Sequence, residues 1–182
     1  KLSNQIKELF NKTPFDSDII SSIEQEYQRI GSSRVAVRSS ATSEDSMEAS
    51  FAGQQNTYLN IIGFNSLIES IKACWASVFE ARAIFYRNSQ NIPHFKSGMS
   101  VVIQKMVQPD VSGVMFTLEP TTLDPDKIVI EAAFGLGEAV VSGIVTPDYY
   151  VIEKSTQTVV RQKHMQQTFK IALNDENGNT GM

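Results

Sequence analysis

The sequence predicts an α+β fold. Three observations point there. Apolar residues recur at helical spacing from Leu2 to Ile30 and again after Asn65, short runs rich in valine and isoleucine separate these stretches, and from Val111 onward strand-like runs are divided by turn residues. With 182 residues and 41% apolar content, the chain can bury one ordinary domain or two small lobes.

Leu2, Ile6, Leu9 and Phe10 mark a first amphipathic helix, and Ile19, Ile20, Ile23, Tyr27 and Ile30 a second. Asp16 or Ser17 suits the second helix's N-terminus and Gly31 its stop. Val35 to Arg38 reads as a short strand and Gln54 to Ile62 as another, joined by a long acidic connection with Glu44, Asp45 and Glu48. Ser66 with Glu69 forms a capping-box pattern, and Leu67, Ile68, Ile71, Cys74, Trp75, Val78, Phe79 and Phe85 extend one apolar helical face to about residue 87. Trp75, with apolar neighbours at that spacing, belongs in a core. Arg82 and Arg87 near the end of the stretch favour its dipole, with phosphate contact as the second reading.

Met99 to Val107 reads as a mostly buried strand interrupted by Gln104 and Lys105 and ended by Pro109. The polar pair fits either a binding crevice at the strand end or an edge strand with one wet face. Val111 to Thr117, Ile128 to Ala133, Tyr149 to Glu153 and Thr158 to Arg161 supply further strands. Phe134-Gly135-Leu136-Gly137-Glu138 fits a tight strand-to-helix turn better than a phosphate loop, because two glycines are weak evidence for the latter. The stretch from Asn174 to Met182 is polar and aperiodic, which predicts a frayed end.

A net charge of −4 argues against nonspecific nucleic-acid binding. Cys74 is the only cysteine, and with His94 and His164 as the only histidines no zinc-ligand spacing exists. The absence of a membrane-length apolar run and of a signal-like N-terminus makes a cytoplasmic address the expectation.

Chemistry concentrates in Val35-Ala36-Val37-Arg38-Ser39-Ser40-Ala41-Thr42, followed by Ser50-Phe51-Ala52-Gly53-Gln54. A strand delivers an arginine, whose planar fork matches phosphate oxygens, into a cluster of hydroxyls and small residues. Ser39, Ser40 and Thr42 offer hydroxyl donors, and Gly53 permits close backbone approach. From spacing alone, a phosphate-gripping hairpin and a serine-rich surface turn stand side by side. The acids of the connection are read first as solvated, and otherwise as partners of Arg38 or of magnesium.

Val37-Arg38-Ser39-Ser40-Ala41-Thr42 with Glu44-Asp45, and Ser50-Phe51-Ala52-Gly53-Gln54, resemble the signature of the ATP-binding domain of the phosphoenolpyruvate synthase (pyruvate, water dikinase) and pyruvate phosphate dikinase family, which includes rifampicin phosphotransferase. Cys74-Trp75-Ala76-Ser77, Gln104-Lys105-Met106-Val107, Ser112 to Thr117, Gly135 to Glu138 and Val145-Thr146-Pro147-Asp148 match in order. The resemblance implies an ATP-grasp-like pair of lobes with antiparallel and mixed sheets. It divides the chain into N-terminal helices (1–33), a first lobe (34–107), part of a second lobe (108–170) and a frayed tail (171–182).

By the same resemblance Arg38 is catalytic, and Arg38, Ser39, Ser40, Gly53, Gln54 and Thr57 bind the phosphates of ATP. Gln104, Met106 and Val107 then take the base and Asp110 the ribose, with Glu131 and Glu138 as second-lobe acids to watch. Magnesium is expected beside ATP, its ligands mostly outside this chain, because the family's glycine-rich lysine segment and its late Glu, Gln and Arg segment do not occur here. The expectation is therefore a central portion of a dikinase whose ATP site phosphorylates a mobile histidine and then pyruvate. Its partners would be the parent's phosphohistidine and pyruvate-binding domains, with no nucleic acid and no membrane, and the isolated chain would be inactive. The alternatives are a noncatalytic nucleotide-binding or interaction module and the ATP-binding part of a rifampicin phosphotransferase-like enzyme.

Overall fold

In a computed structural model, placement is described for residues 2–41, 57–94, 98–173 and 179–181. The fold is α+β with antiparallel sheets, and it divides into two compact units, Lys1–Met106 and Val107–Met182.

The first unit opens with helices α1 (Leu2–Lys12) and α2 (Ser17–Arg29). The C-terminus of α2 closes in a Schellman turn: Ser32 N–H donates to Tyr27 O at 3.0 Å and Gly31 N–H to Gln28 O at 2.9 Å, with Gly31 at φ +84°. Buried Tyr27 sits behind that turn. Its hydroxyl lies 3.2 Å from Ser32 O and 3.1 Å from Ser33 O and accepts the Gly63 N–H at 3.2 Å.

Three strands follow, β1 (Val35–Ala41), β2 (Thr57–Ile61) and β3 (Met99–Lys105), in the spatial order β2-β1-β3, both pairings antiparallel. One face packs on helix α3 (Phe64–Ser77): Val35, Val37, Leu67, Ile71, Cys74 and Tyr27 are buried together, with Tyr58, Ile61, Val101 and Ile103 against them. Each such aliphatic side chain contributes about 1.5–3 kcal/mol relative to exposure. Trp75 joins this side, its ring edge-on to Phe15 at 5.2 Å.

β3 is not the mostly buried strand expected. It is an edge strand whose residues alternate between partial burial and exposure, so one of its faces is wet. Nor does one helix run to residue 87. α3 starts at Phe64 after Gly63, with Ser66 inside it rather than at a cap, and a second helix, α4 (Ala81–Ser89), begins after Glu80 turns extended. The carbonyls freed at the break find partners, since Val78 O accepts from Arg87 Nη2 and Phe79 O from Ser3 Oγ at 2.7 Å. Arg87 is thereby buried as a structural cation, and Arg82 pairs with Glu80 at 3.3 Å. Phe85, expected on the apolar face, is 74% exposed.

The second unit is a four-stranded antiparallel sheet in the order β4-β5-β6-β7, from Val111–Phe116, Lys127–Phe134, Asp148–Glu153 and Thr158–Lys163. The short helix α5 (Glu138–Val141) packs on β4 and β5, burying Ala139 and Val140. Where a frayed tail is expected after residue 170, β8 (Ile171–Leu173) pairs antiparallel with β9 (Asn179–Gly181), and Ile171 is buried. Gly135 lets the Ile171 backbone come close. It carries φ +78°, and a Cβ there would lie 2.2 Å from Ile171 O, the atom that accepts Leu136 N–H at 2.8 Å. The glycine is required by a close backbone approach, which is the turn reading of the Gly135 to Glu138 segment.

Candidate functional site

Strand pairing decides which of the sequence-derived candidates share a surface. Arg38 stands opposite Thr57 on β2 and Val102 on β3, and Gln104 stands opposite Ala36, one alternation along the same face. Val35 and Val37 point to α3, so Arg38, Ser40, Thr57, Val102 and Gln104 occupy the opposite, solvent-facing side. Ser39 falls on the helix-facing side, because adjacent residues of a strand point to opposite faces. Arg38 and Gln104 also touch, Nη1 donating to Oε1 at 3.5 Å, the outer limit of a hydrogen bond.

Arg38 is an exposed cation outside any described ion pair. Arg29 pairs with Glu26 at 2.8 Å, Arg82 with Glu80 and Arg161 with Glu119 at 3.4 Å, whereas among the described residues Arg38 has no carboxylate partner. A guanidinium carries five N–H donors, and one long bond to an amide leaves most of that capacity unmatched among the described residues. An exposed cation flanked by Ser40 and Thr57 hydroxyls has the chemistry to receive an anion. Thr42, Glu44, Asp45, Glu48, Gly53 and Gln54 lie outside the described residues.

At the far end of β3 the chain is held twice. Met106 N–H donates to Arg34 O at 2.9 Å, and Met106 Sδ accepts the Asn60 N–H at 3.0 Å. Arg34 Nη1 in turn donates to Asn60 Oδ1 at 3.0 Å. Asn60 is 3% exposed and has φ +58°. It sits in a β-bulge: the pairing shifts between Val35↔Ile61 and Val37↔Tyr58, so Leu59 and Asn60 together face Ala36. Sequence reading missed Asn60 and Arg34. The only available signal was an amide set between Leu59 and Ile61 near the end of the strand.

In the second unit, Asp110 O accepts the Gly135 N–H at 2.9 Å, and Asp110 lines a cavity of about 520 Å³ with Phe134, Gln167, Phe169 and Lys170. Val107 is 74% exposed. Glu131 lies on β5 opposite Tyr149 and Val114, while Glu138 occupies the first turn of α5. Among the described residues no three His, Cys, Asp or Glu side chains group as metal ligands, and no helix is long and apolar enough to cross a membrane. Asp148 is an acid of this unit whose carboxyl departs from its ordinary value. The Met165 N–H at 2.8 Å, with Gln167 and His164 beside it, holds its carboxyl below the ordinary range.

Residues 1–181 match the family described as pyruvate phosphate dikinase, AMP/ATP-binding domain. The chain belongs to this family. Relatives of this AMP/ATP-binding domain include the probable phosphoenolpyruvate synthase of Staphylothermus marinus, 47% identical over 182 residues, covering 96% of this chain and 22% of that protein. The phosphoenolpyruvate synthase of Pyrococcus furiosus is 47% identical over 179 residues, covering 95% of this chain and 22% of that protein. A probable phosphoenolpyruvate synthase of Methanothermobacter thermautotrophicus is 51% identical over 162 residues, covering 86% and 24%. This dikinase-family chain thus spans about a fifth to a quarter of the length of these three curated relatives.

Proposed function

We propose that the solvent-facing side of the β2-β1-β3 sheet grips the phosphates of ATP and that the chain is the ATP-binding portion of a phosphoenolpyruvate synthase-like dikinase. The enzyme phosphorylates a mobile histidine and then pyruvate. The observation that carries this reading is Arg38: a strand-borne guanidinium with no described carboxylate partner, beside the hydroxyls of Ser40 and Thr57. Membership of an AMP/ATP-binding domain family and relatives named phosphoenolpyruvate synthase support it.

In this reading Arg38 is the catalytic cation. Held on a strand rather than a loop, it stabilises negative charge that builds on the transferred phosphoryl group without first having to reorganise. Ser39, Ser40, Gly53, Gln54 and Thr57 complete the phosphate cradle, Ser39 by its backbone since its side chain faces α3. Gln104, Met106 and Val107 take the base and Asp110 the ribose, within an ATP-grasp-like arrangement. Because the Met106 N–H is already given to Arg34 O, the backbone donor left for the base here is the Val107 N–H. Magnesium would neutralise phosphate charge when bound. Among the described residues no three His, Cys, Asp or Glu side chains group as its ligands.

The test is Arg38→Ala in the full-length enzyme that carries this chain. Phosphohistidine formation and turnover should fall by about 10²–10⁴-fold, the scale of losing a positioned transition-state charge, while AMP binding stays within a few-fold. Unchanged turnover removes Arg38 from the mechanism.

A further inference from the structure

We propose that Asn60 is a positioning residue for nucleotide-base recognition: with Arg34 it clamps Met106 and so fixes the backbone at the end of β3. This rests on the reading above that the Met106 to Val107 backbone meets the base.

The geometry is unusual in three ways that share one cause. Asn60 is a non-glycine residue at positive φ inside a strand, it is nearly fully buried, and it occupies the bulge of β2. Left-handed backbone in an L-residue persists only where the surroundings enforce it, and asparagine tolerates it better than most. What the bulge achieves is visible in the bonds. Turning Asn60 out of the ladder re-aims its N–H from a β-partner to Met106 Sδ at 3.0 Å, and its Oδ1 receives Arg34 Nη1 at 3.0 Å. Arg34 also supplies the carbonyl that takes Met106 N–H at 2.9 Å. Met106 is therefore fixed by both its main chain and its side chain.

Its place in the chain gives this restraint a purpose. Met106 is the last residue of the first unit, and the next regular pairing begins only at Val111. A free strand end would fray at this point. A backbone that reads a planar base edge must instead hold its donors and acceptors within a fraction of an ångström, and ordering them before binding lowers the entropy that binding must overcome.

The experiment compares affinities of the full-length enzyme for ATP and for inorganic tripolyphosphate by calorimetry. Asn60→Ala loses the Arg34 bond and disfavours positive φ, and should weaken ATP about tenfold, the scale of one hydrogen bond's net contribution. Tripolyphosphate affinity should stay within about twofold, as it has no base to place. Asn60→Asp, which keeps the acceptor and the backbone preference, should recover most of the ATP affinity. Met106→Leu keeps the volume but removes the sulfur, and should reproduce the ATP-specific loss.

Equal losses for both ligands, or no loss for either, overturn the clamp's role in positioning, as does Asn60→Asp failing to rescue. The phosphate grip is read separately from the same data. If Arg38→Ala leaves tripolyphosphate affinity unchanged while Asn60→Ala still selectively weakens ATP, the Arg38 assignment fails and the clamp stands. Wild-type protein binding tripolyphosphate as tightly as ATP overturns the base site, and the clamp's role with it, while leaving the phosphate grip intact.

Discussion

Replacing Gly135 by alanine should unseat the end of the second unit while replacing Gly137, two residues on, should not. At Gly135 the backbone has φ +78°, which costs an L-residue about 1–2 kcal/mol. The added Cβ would stand 2.2 Å from Ile171 O, a backbone atom that can yield only if the chain moves. Moving it breaks the Leu136 N–H to Ile171 O bond, worth about 0.5–1.5 kcal/mol net, and exposes part of Ile171, whose full burial is worth about 1.5–3 kcal/mol. With about half of that burial lost the sum is about 2–5 kcal/mol, a large part of the usual stability of a small unit. Gly137 has φ −59° and meets nothing nearer than Ser112 Cβ at 3.6 Å, so alanine there should be neutral or slightly stabilising.

Amide hydrogen exchange of the 182-residue chain reads the outcome directly. In Gly135→Ala the Leu136 N–H should lose protection, and the urea midpoint of second-unit amides should fall. Fluorescence of Trp75, which lies in the first unit, should keep its own midpoint. If Gly135→Ala stays within about 1 kcal/mol of wild type, the close-approach reasoning is wrong. If Gly137→Ala proves equally costly, the segment is something other than a tight turn, and its alternative as a phosphate loop returns.

Two further expectations concern pH. Burial raises the Cys74 thiol from its ordinary 9.0 to about 11, so the stability it contributes is complete below pH 9 and is lost as pH rises to about 11, by up to about 2–3 kcal/mol. Cys74→Ala should flatten the stability difference across that window, and the native thiol should resist disulfide reagents at pH 8; identical alkaline profiles would refute this. Asp148 has its carboxyl lowered, chiefly by the Met165 N–H, so its contribution is present above its ordinary 3.8 and disappears as pH falls through the lower folded value. Asp148→Asn should reduce the acid sensitivity of second-unit exchange, and an unchanged acid slope would show that the carboxylate is not what ties residues 164–167 to β6.

Local patterns carried the elements whose causes are local. α2 and its stop were legible because a Schellman turn needs only a glycine after an amphipathic run, and the strands around Val37 and Ile130 because β-branched runs have few other uses. The break between α3 and α4 was not legible. Neither glycine nor proline marks it, and what stabilises it is Ser3 reaching Phe79 O across most of the first unit and Arg87 folding back on Val78 O. The wetness of β3 depended on sheet order, and its apolar content would read alike at a centre or an edge. The docking of Ile171 beside Gly135 was hidden because no sequence window spans that contact. For the site, family motifs named Arg38 and Gln104, but only register shows that they share a face and that Ser39 does not. Asn60 escaped because a bulge looks from the sequence like an ordinary asparagine in a strand.

The hydroxyl of Tyr27 carries a consequence for how the sheet is aimed. It meets the carbonyls of Ser32 and Ser33 and the amide of Gly63, so one oxygen joins the segment entering β1 to the segment leaving β2. Inserting or deleting a single residue between Gly31 and Arg34 would oppose that tether and turn every side chain of β1 over. Val37 would then face water, and Arg38 would be driven among Leu67, Ile71 and Cys74, where a cation has no place. The length of this short connector is thus as firmly dictated as the identity of the arginine it aims.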